Sequence, residues 1–222
     1  SNNADKLGVP EPLDAGITVL QPIDFLSRFT KETSLSARGC SHGNTTTTSM
    51  TAWVFDQLHL DPTYIIGGTA KNLQRNAHAG SGQYFIIEAD EYDSMFLGLS
   101  PDYLIITNIE HDHPDCYPTQ ESYLDAFKEL IERMKTDSTA LVCADDVHAH
   151  ELGLWAEDRV NVHFYGASAC VEYPISSMQH ITDRGVSFDL RLSNGKTIHQ
   201  ELVLPGEHNV RNAAAVDRKS VV

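Results

Sequence analysis

Short uninterrupted runs of apolar residues recur through the chain and predict the strands of a mostly parallel β-sheet. Such runs are typical of strands that are covered on both faces. They lie at Tyr64–Ile66, Tyr84–Ile87 and Tyr103–Ile106. Further strands are predicted at Ala140–Cys143 and Val162–Tyr165, and a small apolar run with Leu35 and Ala37 precedes the first helix. Apolar residues at helical spacing lie between some of these runs, at Met50, Val54 and Leu58 and at Tyr123, Phe127, Leu130, Ile131 and Met134. Thr119 is placed to cap the second of these helices.

The pattern changes after Gly166. Residues 186–192 alternate between apolar and polar, Ser193–Lys196 has the composition of a hairpin turn, and Thr197–Leu204 alternates again. A helix is expected to begin near His208 and Asn209. The chain therefore has the pattern of an α/β domain, in which helices flank a mostly parallel sheet and a small antiparallel sheet is added.

The composition of the chain limits the kinds of molecule that it is expected to bind. The 222 residues are enough for one α/β core, and a net charge of −15 argues against a nucleic-acid or anionic-membrane partner. No apolar run reaches the roughly 18 residues of a membrane span. Four scattered cysteines without metal-ligand spacing suit reduced thiols, so we expect a cytoplasmic protein.

The segment between the first strand and the first helix has the composition of a phosphate-binding loop. Residues 38–48 contain two glycines, Gly39 and Gly43, and then four threonines that open the helix. Backbone N–H groups and the positive end of the helix dipole attract anions at such a turn. Thr45 lies where a hydroxyl would hold magnesium, but Asn44 occupies the position of the expected lysine. The alternative is an ordinary glycine-rich connection.

Acidic and histidine-rich segments follow two of the predicted strands. Glu88 directly follows one strand and is the first choice as a magnesium ligand in the acidic segment 88–93. The alternative is a solvated acidic loop. In segment 108–115, His111, His113 and Asp115 match the His-x-His-x-Asp pattern of a metal-dependent hydrolase, whereas His113 alone could support magnesium beside a nucleotide. We expect Glu88 and His113 to follow adjacent strands.

Four segments together resemble the Mur ligase family. They are Cys-Ser-His-Gly-Asn-Thr-Thr-Thr at 40–47, Glu-Ala-Asp-Glu-Tyr-Asp at 88–93, Thr-Asn-Ile-Glu-His-Asp-His-Pro-Asp at 107–115 and Leu-Pro-Gly-Glu-His-Asn-Val-Arg-Asn-Ala-Ala-Ala at 204–215. The resemblance implies the family's central ATP-binding domain, which is similar to P-loop NTPases. The family has Gly-Thr-His-Gly-Lys at the first segment, so Cys40 and Asn44 depart from its pattern.

The resemblance implies an ATP- and Mg²⁺-dependent ligase that phosphorylates a carboxylate and forms an amide from the acyl phosphate. The segments most resemble members that join L-alanine to UDP-N-acetylmuramate. Two alternatives are a relative that attaches a recycled tripeptide to the same sugar nucleotide and a non-catalytic nucleotide-binding module that has lost its lysine.

Site residues carried over from the resemblance fall into four groups. Those matching the phosphate loop are Ser41, His42, Gly43, Asn44, Thr45 and Thr46. Those matching metal ligands are Thr45, Glu88 and His113. The expected catalytic positions are Glu88, His113 and Asn44. Those matching the adenine contacts are His208, Asn209 and Asn212. Gly68 and Thr69 lie in a predicted turn, Gly67–Thr69, that matches a contact to the sugar-nucleotide diphosphate.

The resemblance also predicts the domain organisation. Residues 1–30 would be a connector and a remnant of an N-terminal UDP-sugar domain, with a short helix around Ile23–Phe29, and residues 31–216 the ATP-binding domain. Residues 217–222 match one reading frame of a common sequencing adapter, so we expect them to be non-native. A C-terminal domain would be absent, and this chain alone would not turn over.

Overall fold

The computed structural model describes residues 34–39, 43–182 and 185–220. Several predictions lie outside these ranges: the N-terminal remnant with its helix, the loop residues Cys40, Ser41 and His42, and the last two residues. The described strands are β1 (Ser34–Gly39), β2 (Thr63–Ala70), β3 (Arg75–His78), β4 (Tyr84–Glu88), β5 (Tyr103–Ile106), β6 (Thr139–Cys143), β7 (Asn161–Gly166), β8 (Tyr173–Thr182), β9 (Gly185–Arg191) and β10 (Thr197–Leu202). The described helices are α1 (Asn44–Gln57), α2 (Gln120–Glu132), α3 (Val147–Ala156) and α4 (Glu207–Ser220), with a 3-10 helix at Tyr92–Gly98.

The strands form one sheet in the order β10-β9-β8-β7-β6-β5-β1-β4-β2-β3. Neighbours from β8 to β2 pair in parallel, whereas β2 with β3, β8 with β9 and β9 with β10 pair antiparallel. The predicted fold class is confirmed. The antiparallel strands continue the parallel sheet, because β8 pairs with β7 at Tyr165–Tyr173 and Gly166–Pro174.

Strand order corrects one expectation about the site. β1 lies between β4 and β5, and Ala37 is in register with Ile87 on one side and Leu104 on the other. The strands that precede Glu88 and His113 are therefore not adjacent. They are separated by the strand that leads into α1.

Helices cover both faces of the central strands. On one face, Leu35, Phe85 and Leu104 share a core with residues of α2 and α3 such as Phe127 and Leu152. On the other face, Ile86 packs with Ala52 and Phe55 of α1, and Ile105 packs with Val210 and Ala214 of α4. The alternating apolar residues of these strands serve two separate cores, as the uninterrupted apolar runs predict.

The two predicted amphipathic helices had different outcomes. Thr119 caps α2 as predicted. Its side chain accepts a hydrogen bond from the Ser122 backbone N–H, and the Ser122 side chain accepts one from the Thr119 backbone N–H. In α1 the predicted face was wrong: the buried residues are Thr47, Thr48, Thr51, Ala52 and Phe55. Leu58 lies beyond the helix and is 50% exposed. In the described ranges, no helix has the length and apolar character needed to cross a membrane.

Candidate functional site

Gly43 connects the first strand to the first helix and fixes the geometry of this turn. Its φ of 95° lies in the left-handed region that favours glycine, and its carbonyl accepts the Thr47 N–H at 2.8 Å. A Cβ at this position would lie 3.0 Å from the Asn212 side-chain nitrogen. The predicted strand–glycine–helix arrangement is thus present, and α4 packs closely against the turn.

A cavity of about 310 Å³ opens at the N-terminus of α1, and we call it the carboxylate cavity. Its lining brings together residues that were predicted from three separate motifs. The lining residues are Gly43, Asn44, Thr45, Thr46, Glu88, Asp90, Glu91 and His113. This lining, drawn from the described residues, has three carboxylates and no lysine or arginine.

Both oxygens of Glu88 are held in place at the end of β4. The Thr45 hydroxyl donates to Oε1 at 2.8 Å, and the Gly67 backbone N–H donates to Oε2 at 2.7 Å. A Cβ on Gly67 would lie 2.8 Å from Oε2, so a side chain here would displace the Glu88 carboxylate. These bonds link the start of α1, the end of β4 and β2 through one carboxylate.

The same contacts correct the predicted turn at Gly67–Thr69. All three residues lie within β2, and the backbone of Gly67 closely approaches the Glu88 carboxylate. A Cβ on Gly68 would lie 3.3 Å from the Thr45 methyl group, so Gly68 adjoins the site. Thr69 is exposed and does not line the carboxylate cavity.

His113 reaches this cavity from the segment that follows β5. Its φ of 54° is left-handed, which is uncommon for a residue with a side chain. Its carbonyl accepts the N–H groups of Cys116 and Tyr117, both at 2.9 Å, and its own N–H donates to Asp112 at 2.7 Å. The imidazole packs edge-on against Tyr92, with ring centroids 5.2 Å apart.

Glu91 also lines the carboxylate cavity, but the sequence interpretation did not select it, because only Glu88 was expected to be held rigidly. Glu91 is 4% exposed, and its Oε1 accepts the Tyr123 hydroxyl at 3.0 Å. Burial raises the pKa of this carboxyl, and the nearby Asp90 charge adds to that effect. The sequence shows that Glu91 lies three residues after Glu88 in Glu-Ala-Asp-Glu. It does not show that α2 buries Glu91.

The hydrolase interpretation does not fit this arrangement. Nε2 of His111 lies 2.6 Å from the Tyr117 carbonyl oxygen, and Asp115 accepts the Tyr92 hydroxyl at 3.3 Å. The His111 and Asp115 side chains therefore contact different residues, Tyr117 and Tyr92 respectively. Among the described residues, no group of three or more histidine, cysteine, aspartate or glutamate side chains is placed to hold a metal ion.

A second cavity, of about 490 Å³, lies on the other side of Gly43, and we call it the Arg211 cavity. His208 and Asn212, two of the residues predicted to contact adenine, line this cavity. Asn209 does not line it, because its amide donates to the Pro205 carbonyl at 2.7 Å. The other lining residues are Thr107, Asn108, Glu110, Cys143, Asp145, Asp146 and Arg211.

Charged residues of the Arg211 cavity are also held by the fold. Nε of Arg211 donates to Asp145 at 2.8 Å, and Asp146 caps α3 by accepting the Ala149 N–H at 2.8 Å. Sequence reasoning missed these residues. The available signal was the pair Asp145-Asp146, which lies two and three residues beyond the end of the buried strand β6.

Comparisons with known proteins identify the family of this chain. A UDP-N-acetylmuramate–L-alanine ligase of Desulforamulus reducens is 36% identical over 210 residues, which cover 93% of this chain and 45% of the relative. The solved UDP-N-acetylmuramate–alanine ligase of Thermotoga maritima superposes with a TM-score of 0.72 at 28% identity, over 87% of this chain and 42% of that one. The UDP-N-acetylmuramate:L-alanyl-gamma-D-glutamyl-meso-diaminopimelate ligase of Neisseria meningitides gives 0.79 at 24% identity, over 95% and 68%.

The chain thus spans less than half the length of the curated relatives it matches. The family model of the Mur ligase middle domain matches residues 40–217, which is well over half of the chain. The chain therefore belongs to the Mur ligase family and contains its middle domain.

Proposed function

We propose that this chain is the nucleotide-binding part of an ATP- and Mg²⁺-dependent ligase that joins L-alanine to UDP-N-acetylmuramate through an acyl phosphate. One observation carries the proposal: Thr45, at the start of α1, donates to Glu88 at 2.8 Å in a cavity that His113 also lines. The choice of substrates is supported by the activity named for the relatives.

The donor set of the carboxylate cavity suits Mg²⁺. Mg²⁺ prefers oxygen ligands, keeps several waters and uses substrate phosphates, so it does not need a closed protein cage. Glu88 and Thr45 offer oxygens on rigid elements, and these two residues with His113 would hold the ion. Bound Mg²⁺ would neutralise charge on the transferring phosphoryl group.

The protein's own groups would position the rest of the nucleotide. The N–H groups at the start of α1 favour the polyphosphate, because the helix dipole is positive there. His208 and Asn212 line the Arg211 cavity, which would take the adenine. Gly43 lines both cavities, so a nucleotide occupying both would pass this residue.

A second candidate function is nucleotide binding without catalysis. Asn44 lines the carboxylate cavity at the position where the family has lysine. The described residues of that lining include no lysine or arginine. A polyphosphate there would depend on Mg²⁺ and on backbone dipoles for charge compensation. That observation favours weak, strongly Mg²⁺-dependent binding.

Calorimetric titration of this chain with ATP, with and without Mg²⁺, tests the site. We expect binding that requires Mg²⁺ and that Glu88→Gln weakens roughly 10- to 100-fold. Glu132→Gln, which removes the same charge from the exposed surface of α2, should leave the affinity unchanged. ATP binding that is insensitive to both Mg²⁺ and Glu88→Gln would overturn the proposed site.

Turnover separates the two candidate functions. ADP release that requires both UDP-N-acetylmuramate and L-alanine, measured on the polypeptide encoded by the complete locus, favours the ligase. Nucleotide binding without such release favours the non-catalytic module.

A further inference from the structure

Glu91 and His113 come from segments that follow different strands, yet they meet in the carboxylate cavity. Nε2 of His113 lies 3.8 Å from Oε1 of Glu91. The preceding strands, β4 and β5, are separated by β1, so this contact spans the end of the strand that leads into α1. It directly joins the acidic segment and the histidine segment of the site.

Two buried tyrosines hold Glu91 in place. The Tyr123 hydroxyl donates to Oε1 of Glu91 at 3.0 Å, and the Tyr117 hydroxyl donates to its carbonyl oxygen at 2.6 Å. The two tyrosine rings pack edge-on, with centroids 5.1 Å apart, and both are at most 5% exposed. The carboxylate of Glu91 is therefore anchored to α2, and its backbone is anchored to the segment just before that helix.

The backbone of His113 is equally constrained. A left-handed conformation costs about 1–2 kcal/mol for an L-residue, and three hydrogen bonds at the backbone of His113 and its neighbours maintain it here. The remaining freedom of this residue is rotation of its side chain. Two carboxylates lie near its Nε2: Glu91 at 3.8 Å, which is buried, and Asp112 at 4.0 Å, whose side chain is 40% exposed.

We propose that Glu91 is a positioning residue that orients the His113 imidazole for the metal ion. A carboxylate beside a ligating histidine fixes the orientation of the ring and raises its basicity. Glu91 suits this role because Tyr123 fixes its carboxylate in the core, whereas Asp112 is more exposed and lies on the same loop as His113. The inference rests on the proposed function for the identity of the ion, but the contact itself can be tested without nucleotide.

The first test uses the intact chain and no ligand. Ring ¹⁵N–¹H correlation spectra of protein labelled with [¹⁵N]histidine, assigned with His113→Gln, report the tautomer and orientation of the His113 ring. We expect Glu91→Gln to move the His113 signals while the other histidines stay in place. Asp112→Asn is the matched control, and it should move them less. Unmoved His113 signals in Glu91→Gln, or a larger shift in Asp112→Asn, would overturn the inference.

The second test uses Mn²⁺ with ADP, and free Mn²⁺ is counted by electron paramagnetic resonance. Glu91→Gln should weaken Mn²⁺ binding about 10- to 100-fold. Tyr123→Phe keeps the buried ring and removes only the hydroxyl bond, so it should cause a smaller loss, below about tenfold. Mn²⁺ affinities within twofold of wild type in both variants would contradict the inference. A wild-type chain that binds no Mn²⁺ would instead contradict the proposed function, and the histidine spectra would still decide whether Glu91 positions the ring.

Discussion

Restoring a lysine at position 44 is the most direct perturbation of the proposed phosphate site. Asn44 is the first residue of α1 and lines the carboxylate cavity with Glu88, Asp90 and Glu91. A polyphosphate entering this cavity meets three carboxylates and no lysine or arginine among the described lining residues. Asn44→Lys adds one positive charge at the helix terminus, where the backbone dipole already favours anions.

Coulomb's law gives the size of the expected gain. Two unit charges 4 Å apart interact by about 4 kcal/mol at an effective dielectric constant of 20 and by about 1 kcal/mol in bulk water. The cavity is open and Asn44 is only partly buried, so the gain should lie between these limits. The new ammonium group would also attract Glu88 and Asp90 before nucleotide binds, which reduces the gain. We therefore expect ATP affinity to rise roughly 10- to 100-fold, since 1.4 kcal/mol is a factor of ten.

Calorimetry with Mg²⁺-ATP on wild type, Asn44→Lys and Asn44→Gln checks this expectation. Asn44→Gln lengthens the side chain without adding charge, so it separates electrostatics from contact. The advantage of lysine over glutamine should shrink as salt rises from 50 to 500 mM, because salt screens exposed charges over about 10 Å at 0.1 M. Equal affinities for the lysine and glutamine variants would show that phosphate does not bind beside residue 44.

Three further substitutions test separate parts of the structure. Gly67→Ala should weaken Mg²⁺-dependent ATP binding about tenfold, because the new Cβ would displace Glu88. Gly68→Ala should have less effect, because a Cβ on residue 68 has more room. Equal losses of ATP affinity in calorimetry would contradict this expectation. Thr119→Ala should lower the free energy of unfolding by about 1 kcal/mol in urea titrations, since it removes the cap of α2, and an unchanged midpoint would argue against the cap. The pKa of Asp61 is lowered, mainly by the hydrogen bond from the Ser81 backbone N–H and then by His78. The ionised carboxylate therefore stabilises the fold above the unfolded-state pKa of about 3.9, and this stabilisation is lost as the pH falls below that value. Asp61→Asn should therefore destabilise at pH 7 but less at pH 3.5, and a difference independent of pH would refute the assignment.

Buried strands were predictable from the sequence because both their faces enter apolar cores. β4, β5 and β6 contain uninterrupted apolar runs, and the β9–β10 hairpin appears as alternation around a turn. β3 was missed because Arg75–His78 is mostly exposed and offers no apolar pattern. β2 was only partly recognised, since Ile65 is 39% exposed and the glycine pair resembles a turn.

Site residues were predictable where a motif carried them, and not where only tertiary contacts reveal them. Thr45, Glu88 and His113 were predicted from separate segments, and all three line one cavity. Glu91 was not recognised because its importance depends on burial beside Tyr123 and His113, which are distant in sequence. The adenine contact of Asn209 stays a prediction, and its hydrogen bond to the Pro205 carbonyl could not be read from the sequence.

Strand order explains why these segments meet at Gly43. The chain leaves β1 through α1 to reach β2 on one side, and it later passes from β4 to β5 on the other side of β1. At such a switch point the connections diverge, so a crevice opens beyond the carboxyl end of the central strand. Glu88 and Glu91 enter from the β4 side, while His113 and Asp146 enter from beyond β5 and β6. Because Gly43 follows β1 and lines both cavities, a side chain at this position would disturb both halves of the proposed nucleotide site at once.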